Sequence, residues 1–341
     1  MARYYFLDDS KLNGFIKALT HYGELWGFDE QGELKKFELK NGSLPLFHKY
    51  RQTDSFKPVL FNALKVVAEY PGGRNKFSEP TPKVLVDLKP CDIAAIRVFD
   101  SVFIEDKEFV DPFVKSAREN LFIVAGDCSE ALPTCFCNLV GGKPYPEDGY
   151  DILLSKIDGG FIVDIATEKG KGLLEGFALP QATPDKEKEL ERKRAKVTAE
   201  LEEQNANLKT KNDYYHIVKE RYNSLVWGKE ASRCVSCGAC TNVCPTCYCF
   251  GLADHKTKDK FIRTMNWDSC QFSGFSRMAG MLNPRPLHRQ HFEHRYDHKF
   301  HHFKERYDFY ACTGCGRCIE NCLGKIDMRQ VLKGVDEQKG S

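Results

Sequence analysis

Eight cysteines in this 341-residue chain stand at a spacing that suits iron. Cys234, Cys237, Cys240 and Cys244 read C-x-x-C-x-x-C-x-x-x-C and run into Pro245; Cys312, Cys315, Cys318 and Cys322 repeat the pattern. In this arrangement three cysteines wrap one cubane [4Fe–4S] cluster, and the fourth reaches across to a second. The spacing predicts Cys234, Cys237, Cys240 and Cys322 around one cluster. It predicts Cys312, Cys315, Cys318 and Cys244 around the other. The chemistry of such a pair is one-electron transfer.

Two plainer readings compete. Structural zinc usually takes two paired ligands and then two more at a distance. A third cysteine at the same short step, occurring twice, does not suit one tetrahedral ion. Free core cysteines would not repeat a pattern. Gly238, Gly314 and Gly316 let the loops fold tightly, so that backbone amides can face the sulfides. Leu323 follows the second motif where a proline is usual; the ligand set is unaffected.

Seven cysteines remain. Cys91 and Cys128 each follow an apolar run that reads as a strand, and Cys135 and Cys137 lie a few residues beyond Cys128. Ligand sites form at the carboxyl ends of neighbouring strands in an open α/β sheet. These four could supply one further [4Fe–4S] cluster, or could pack as small hydrophobes. Cys247, Cys249 and Cys270 are one short of a full set. They could take an outside ligand, share ligands with the first four, or pack beside the first cubane.

The elements that must hold these residues are legible in part. Residues 83–88 and 121–125 are short apolar runs expected as buried strands. A helix is expected after Pro90, with Asp92 placed to cap it. Residues 150–154 and 161–165 flank Asp158, Gly159 and Gly160, a hairpin signal. From Pro184 to Lys211 the chain is highly charged and free of glycine and further proline. An exposed, salt-bridged helix is expected there, as a connector or a face for a partner. The expected class is α+β: a mixed α/β domain over 1–180, a charged helical connector over 181–227, and a ferredoxin-like two-cluster domain over 228–341. Within that last domain an insertion of about 251–306 separates the half-motifs.

Six of the ten histidines fall between 288 and 302: His288, His291, His294, His298, His301 and His302. Steps of three and four place most of them on one helical face. A metal site is the sharp reading. A basic surface is the plainer and favoured one, because Arg289, Arg295 and Lys299 interleave. An interface with a partner or an anionic cofactor also stays open.

Composition narrows the class. The chain is 42% hydrophobic and 29% charged, with a net charge of +2, which gives no reason to expect nucleic acid as a partner. No apolar run approaches membrane-spanning length. The N-terminal residues lack the pattern of a signal peptide. Fifteen cysteines, an odd number, fit a reducing cytoplasm better than a disulfide framework. No G-x-G-x-x-G follows a strand, and there is no P-loop.

Taken together, several strings resemble one family. They include Pro90-Cys91-Asp92, Asp127-Cys128, Thr134-Cys135-Phe136-Cys137, the 150–151 hairpin entry and residues 167–170. The run from Cys237 to Phe250, then residues 267–270, 283–286, 298–300 and 312–318, complete the pattern. The family comprises iron–sulfur proteins related to the electron-transfer component of anaerobic sulfite reductase and to the beta subunit of soluble sulfhydrogenases. Related proteins accompany flavin oxidoreductase–heterodisulfide reductase complexes. Gly251, where the family often carries an acidic residue, and Leu323 are departures.

The resemblance implies a cytoplasmic electron-transfer subunit with two [4Fe–4S] clusters and no catalytic residues of its own. Its implied partners are a flavoprotein that handles NAD(P)H and a terminal subunit of hydrogenase, sulfite reductase or heterodisulfide reductase type. One alternative is a reductase whose extra cysteines build a catalytic cluster, or a dithiol at Cys135 and Cys137. Cys-x-Cys is a strained pair for a disulfide, which argues against the dithiol. A scaffold whose clusters only stabilise the fold is a third reading.

Overall fold

The computed structural model describes residues 4–38, 42–71 and 80–338. They fall into two compact units, each discontinuous in sequence. One takes the described residues of 1–56, 79–204 and 313–315; the other takes those of 57–78, 205–312 and 316–341. The boundaries expected at about 180 and 227 do not coincide with this division.

The strands are β1 (Tyr4–Asp8), β2 (Glu24–Phe28), β3 (Leu34–Phe37), β4 (Leu64–Tyr70), β5 (Lys83–Leu88), β6 (Leu121–Gly126), β7 (Ile152–Ile157), β8 (Gly160–Ile165), β9 (Phe250–Lys256) and β10 (Phe261–Trp267). In the first unit seven of them form one sheet, ordered β1-β8-β7-β6-β5-β2-β3. Its centre is parallel, from β2 through β5 and β6 to β7. The edges are antiparallel, because β8 returns from β7 through a hairpin at Asp158 and Gly159, and β1 pairs β8. Gly159 takes φ of 76° there, the left-handed region that this turn requires. The mixed α/β expectation holds. The central strands are buried on both faces, which is why β6 reads as an unbroken apolar run and β5 as one interrupted after Lys83 only at Asp87.

The expected helix after β5 is Pro90–Phe103, but Asp92 does not cap it. Lys89 is the N-cap residue, and Asp92 sits buried inside the first turn. Pro90 sets the start instead, since its missing N–H would have no helical partner at that position.

The charged run forms the helix Pro184–Asn205. It is not simply an exposed connector. Leu190, Val197 and Leu201 are buried, at steps that share one helical face, and Leu190 packs with Ile157 and Ile162. Arg194 Nε donates to Asp127 Oδ2 at 2.8 Å, pinning this helix beside the end of β6. The expected i,i+4 pairs, such as Lys193–Glu189 and Lys196–Glu200, lie along the flank of that buried face.

The second unit combines the antiparallel sheet β4-β10-β9 with helices. Helix His288–Tyr296 runs without a break through a π-helical segment, Asp297–His302, into Phe303–Tyr307. Trp227, which is fully buried, packs on Tyr296 with ring centroids 5.1 Å apart. The last helix, Met328–Glu337, buries Val331, Leu332 and Val335. Among the described residues no helix is long and apolar enough to cross a membrane.

Candidate iron–sulfur centres

None of the fifteen cysteines is in a disulfide. The two ferredoxin loops are built alike. Gly238, at φ 73°, precedes the short helix Ala239–Asn242, and Gly316, at φ 75°, precedes Arg317–Glu320. Each glycine makes a turn that a side chain would strain, and the following cysteine starts the helix side of the loop. Backbone amides already point at sulfur: Ser236 N lies 3.4 Å from Cys234 Sγ, and Ile326 N lies 3.4 Å from Cys322 Sγ.

Burial raises the Cys234 thiol, and the neighbouring charges of Cys322 and Cys237 add to this. Burial pushes Cys240 up to about 12, with Cys318, Cys270 and Cys234 contributing. Cys240 thus has thiols of both motifs around it, and the residue before Cys234 reaches the stretch after Cys322: Arg233 Nη2 donates to the Lys325 carbonyl at 2.6 Å. Cys244 lies beside Lys299, whose Nζ is 3.5 Å from its Sγ and also donates to Thr246 Oγ1 and the Ala311 carbonyl at 2.7 Å each. Burial opposes the Lys299 charge, but Cys244, Cys247 and Cys312 outweigh it, and the ammonium is held above its ordinary range.

Cys247, Cys249 and Cys270 line one cavity with Tyr248, His298 and Lys299. The hairpin explains this meeting. Phe250 of β9 faces Trp267 of β10, and Asp268 N donates to the Cys249 carbonyl at 2.9 Å. That register brings Cys249 and Cys270 together from 21 residues apart in the sequence. Their thiols interact, and the Cys249 hydrogen bond lowers Cys270 to about 6. Cys244 and Cys247 form a similar pair in which Cys244 is the more acidic.

Three buried cations face these thiols: Lys57, Arg295 and Lys299. No carboxylate among the described residues pairs with any of them. Lys57 Nζ instead donates to the carbonyls of Thr241 and Cys247 and lies 4.0 Å over the Trp267 ring. Arg295 Nε has no hydrogen-bond partner. Unpaired buried cations are costly, and an anionic group among the thiols offsets that cost.

The histidine stretch is helical as expected, but it is not the expected basic surface. Arg295, Lys299 and His291 are buried. Burial and then the Arg285 charge bring His294 down to about 4; burial and then Lys299 bring His298 down to about 3. The ligand atoms of Asp297, His301 and His302 all lie within 4.8 Å of one another, so an acidic partner exists that the spacing did not reveal. His301 Nδ1 is 2.7 Å from Asp297 Oδ1.

In the first unit Cys91, Cys128, Cys135 and Cys137 line a single cavity. Burial, followed by the neighbouring thiols, raises Cys128 well above its ordinary value and Cys137 to about 12. Neither is a ready nucleophile. Arg51 and Lys57 escaped sequence reasoning altogether. A single lysine or arginine in the segment 51–57 carries no pattern, and only the folded chain takes it beside a thiol.

Residues 233–326 match the 4Fe-4S dicluster domain. With the paired glycine-turn loops, this match defines an iron–sulfur protein that binds [4Fe–4S] clusters and transfers electrons. Sulfhydrogenase 2 subunit beta of Pyrococcus furiosus is 30% identical over 351 residues, covering 98% of this chain and 99% of the relative. The chain belongs to this family of sulfhydrogenase beta subunits, iron–sulfur subunits of oxidoreductase complexes. F420-dependent formate dehydrogenase 1 subunit beta of Methanococcus maripaludis is 32% identical over 94 residues, covering 26% of this chain and 22% of that protein.

Proposed function

We propose that the chain relays single electrons between a flavoprotein subunit that handles NAD(P)H and a terminal redox subunit. The cluster ligands would be Cys234, Cys237, Cys240 and Cys322 for one cubane, and Cys312, Cys315, Cys318 and Cys244 for the other. The observation that supports this reading is the contact between the two motifs, where Arg233, next to Cys234, donates through Nη2 to the carbonyl of Lys325, just past Cys322, at 2.6 Å; ligand exchange between clusters requires such closeness. Exchange of this kind keeps two cubanes close, which suits electron hopping. The buried Lys299 beside Cys244 stabilises negative charge on that side, and so favours the reduced state of the second cluster.

The terminal subunit would be of hydrogenase, sulfite reductase or heterodisulfide reductase type. The name of the relative that matches along its whole length favours the hydrogenase type. A cytoplasmic location follows from the same reading, since exposed low-potential clusters and free thiols persist best where the surroundings are reducing.

The test is anaerobic purification of the full chain, followed by dithionite reduction and EPR. Two interacting cubane signals are expected. Addition of the flavoprotein partner with NAD(P)H should then reduce the same clusters. Clusters that dithionite reduces but the flavoprotein never does would overturn the relay while leaving the cluster assignment standing. The scaffold reading predicts that second result.

A further inference from the structure

We propose that Cys91, Cys128, Cys135 and Cys137 hold a third [4Fe–4S] cluster, inside the first unit. The inference extends the relay reading above, but its ligands and its test are separate.

The fold itself brings these residues together. β5 and β6 are adjacent and parallel, so their carboxyl ends lie side by side. Cys91 opens the helix that follows β5, and Cys128 stands two residues beyond β6. The segment that follows Cys128 then turns back. Cys128 N donates to the Pro144 carbonyl at 2.8 Å, and Gly142 N donates to the Cys137 carbonyl at 2.8 Å. Cys135 is held from two sides: its N–H donates to the Leu132 carbonyl at 2.9 Å, and its carbonyl accepts from Gln204 Nε2 at 2.8 Å. Four backbones are thus fixed around one cavity.

The lining suits a cubane. Apart from the thiols it is largely apolar, with Pro90, Pro144, Val197 and Leu201, the last two from the charged helix. Arg51, also in the lining and buried, donates through Nε at 2.6 Å to the carbonyl of Cys315, a fifth cysteine in the lining, and Lys143 and Glu130 complete its charged residues, two cations to one anion. A cluster with four thiolates is anionic, and a nearby cation favours it. Four cysteines would equally make a zinc site, and here the spacing of the sulfurs decides. A tetrahedral zinc needs Zn–S distances of about 2.3 Å, so its sulfurs nearly touch. Among the described residues, the one group whose ligand atoms all fall within 4.8 Å of one another is Asp297, His301 and His302. The four thiols do not form such a group, so they are set wider than one tetrahedral zinc ion would hold them. The pairing of Cys135 with Cys137 as a redox dithiol fares no better. Both thiols face the cavity, and a two-residue step closes a strained ring.

The experiment compares the full chain with the double variant Cys135→Ser/Cys137→Ser, both purified anaerobically. Iron, zinc and acid-labile sulfide are counted per chain, and EPR follows dithionite reduction. The variant is expected to lose about four irons and about four sulfides. It should keep the interacting signals of the two ferredoxin clusters, which serve as the control for folding. Equal iron in both proteins would overturn the inference, and so would loss of one zinc in place of iron. If the double variant loses every cluster, Cys91→Ser, which removes one ligand far along the sequence, decides on the same readout. A Cys312→Ser/Cys318→Ser variant should lose the second ferredoxin cluster and retain the third. Failure of the relay reading is therefore told apart from failure of this one.

Discussion

Lys89 Nζ lies 2.7 Å from Asp87 Oδ1, and both side chains are buried at the carboxyl end of β5. Asp87 is the extra residue of a β-bulge, at φ 63°, between Val86 and Leu88 of the ladder to β6. Its carboxylate also accepts from His48 N at 2.8 Å and Gln52 Nε2 at 2.6 Å. Lys89 donates in turn to the carbonyls of His48 and Asp127. One ion pair thus joins β5, the segment 48–52 and the residue just before Cys128. Bulges commonly stand next to functional sites, where they re-aim a side chain.

Replacing Lys89 by Met leaves the Asp87 carboxylate buried without its cation. Stability should fall by about 3–5 kcal/mol, measured by anaerobic urea unfolding of the full chain. The double variant Asp87→Asn/Lys89→Met should recover part of that loss. If the single and double variants lose equally, the pair is not what makes the single change costly.

Gly126 closes the same corner. A Cβ at this position would come within 2.4 Å of Asp87 Oδ1 and 3.1 Å of Lys89 Nζ. The carboxylate is tied by three donors and cannot swing away. Gly126→Ala should cost about 1–3 kcal/mol, typical of an overpacked interior. An unchanged midpoint in thermal or urea unfolding would show that the corner can yield.

Lys299 is expected to set the potential of the cluster for which Cys244 is proposed as a ligand. A charged hydrogen bond contributes about 1.5–3 kcal/mol, which for one electron corresponds to about 60–130 mV. Lys299→Met should move one cubane more negative by that amount and leave the other nearly unmoved. An EPR-monitored redox titration reads both. Equal shifts at both clusters, or none, would refute a local role.

Glu293 gives a pH dependence of definite sign. Burial raises its carboxyl to about 7, although the Arg289 charge opposes this from 3.0 Å away. Neither oxygen accepts a well-aligned hydrogen bond. An unfolded glutamate titrates near 4.3, so the folded chain holds this proton more tightly. The resulting stability is complete below about pH 4.3, is lost progressively up to about pH 7, and stays lost above. Glu293→Gln should therefore be the more stable protein at pH 8, by about 1–2 kcal/mol, with the gap closing towards pH 5. Urea midpoints at the two pH values decide it. A gap of the same size at both would exclude titration of Glu293 as its source.

The sequence alone carried the chemistry that depends on short spacing. Two loops with cysteines three and four apart wrap clusters by local geometry, so Cys234 to Cys244 and Cys312 to Cys322 define the class without any knowledge of the fold. Buried strands β5 and β6 and the turn at Asp158–Gly159 were legible for the same reason, because their signals span only a few residues. Tertiary structure decided the rest. The meeting of Cys249 with Cys270 depends on the register of a hairpin, and the ring of Cys91, Cys128, Cys135 and Cys137 on which strands lie side by side. Burial turned the histidine stretch from an expected basic surface into a partly buried helix, with Lys299 and Arg295 inside and the His294 and His298 imidazoles held neutral. It also turned the charged run 184–205 into a helix that covers a cavity, because Val197 and Leu201 share a face that charge counting does not see. These placements depend on which distant segments pack together, and packing is a property of the whole chain that no local spacing encodes.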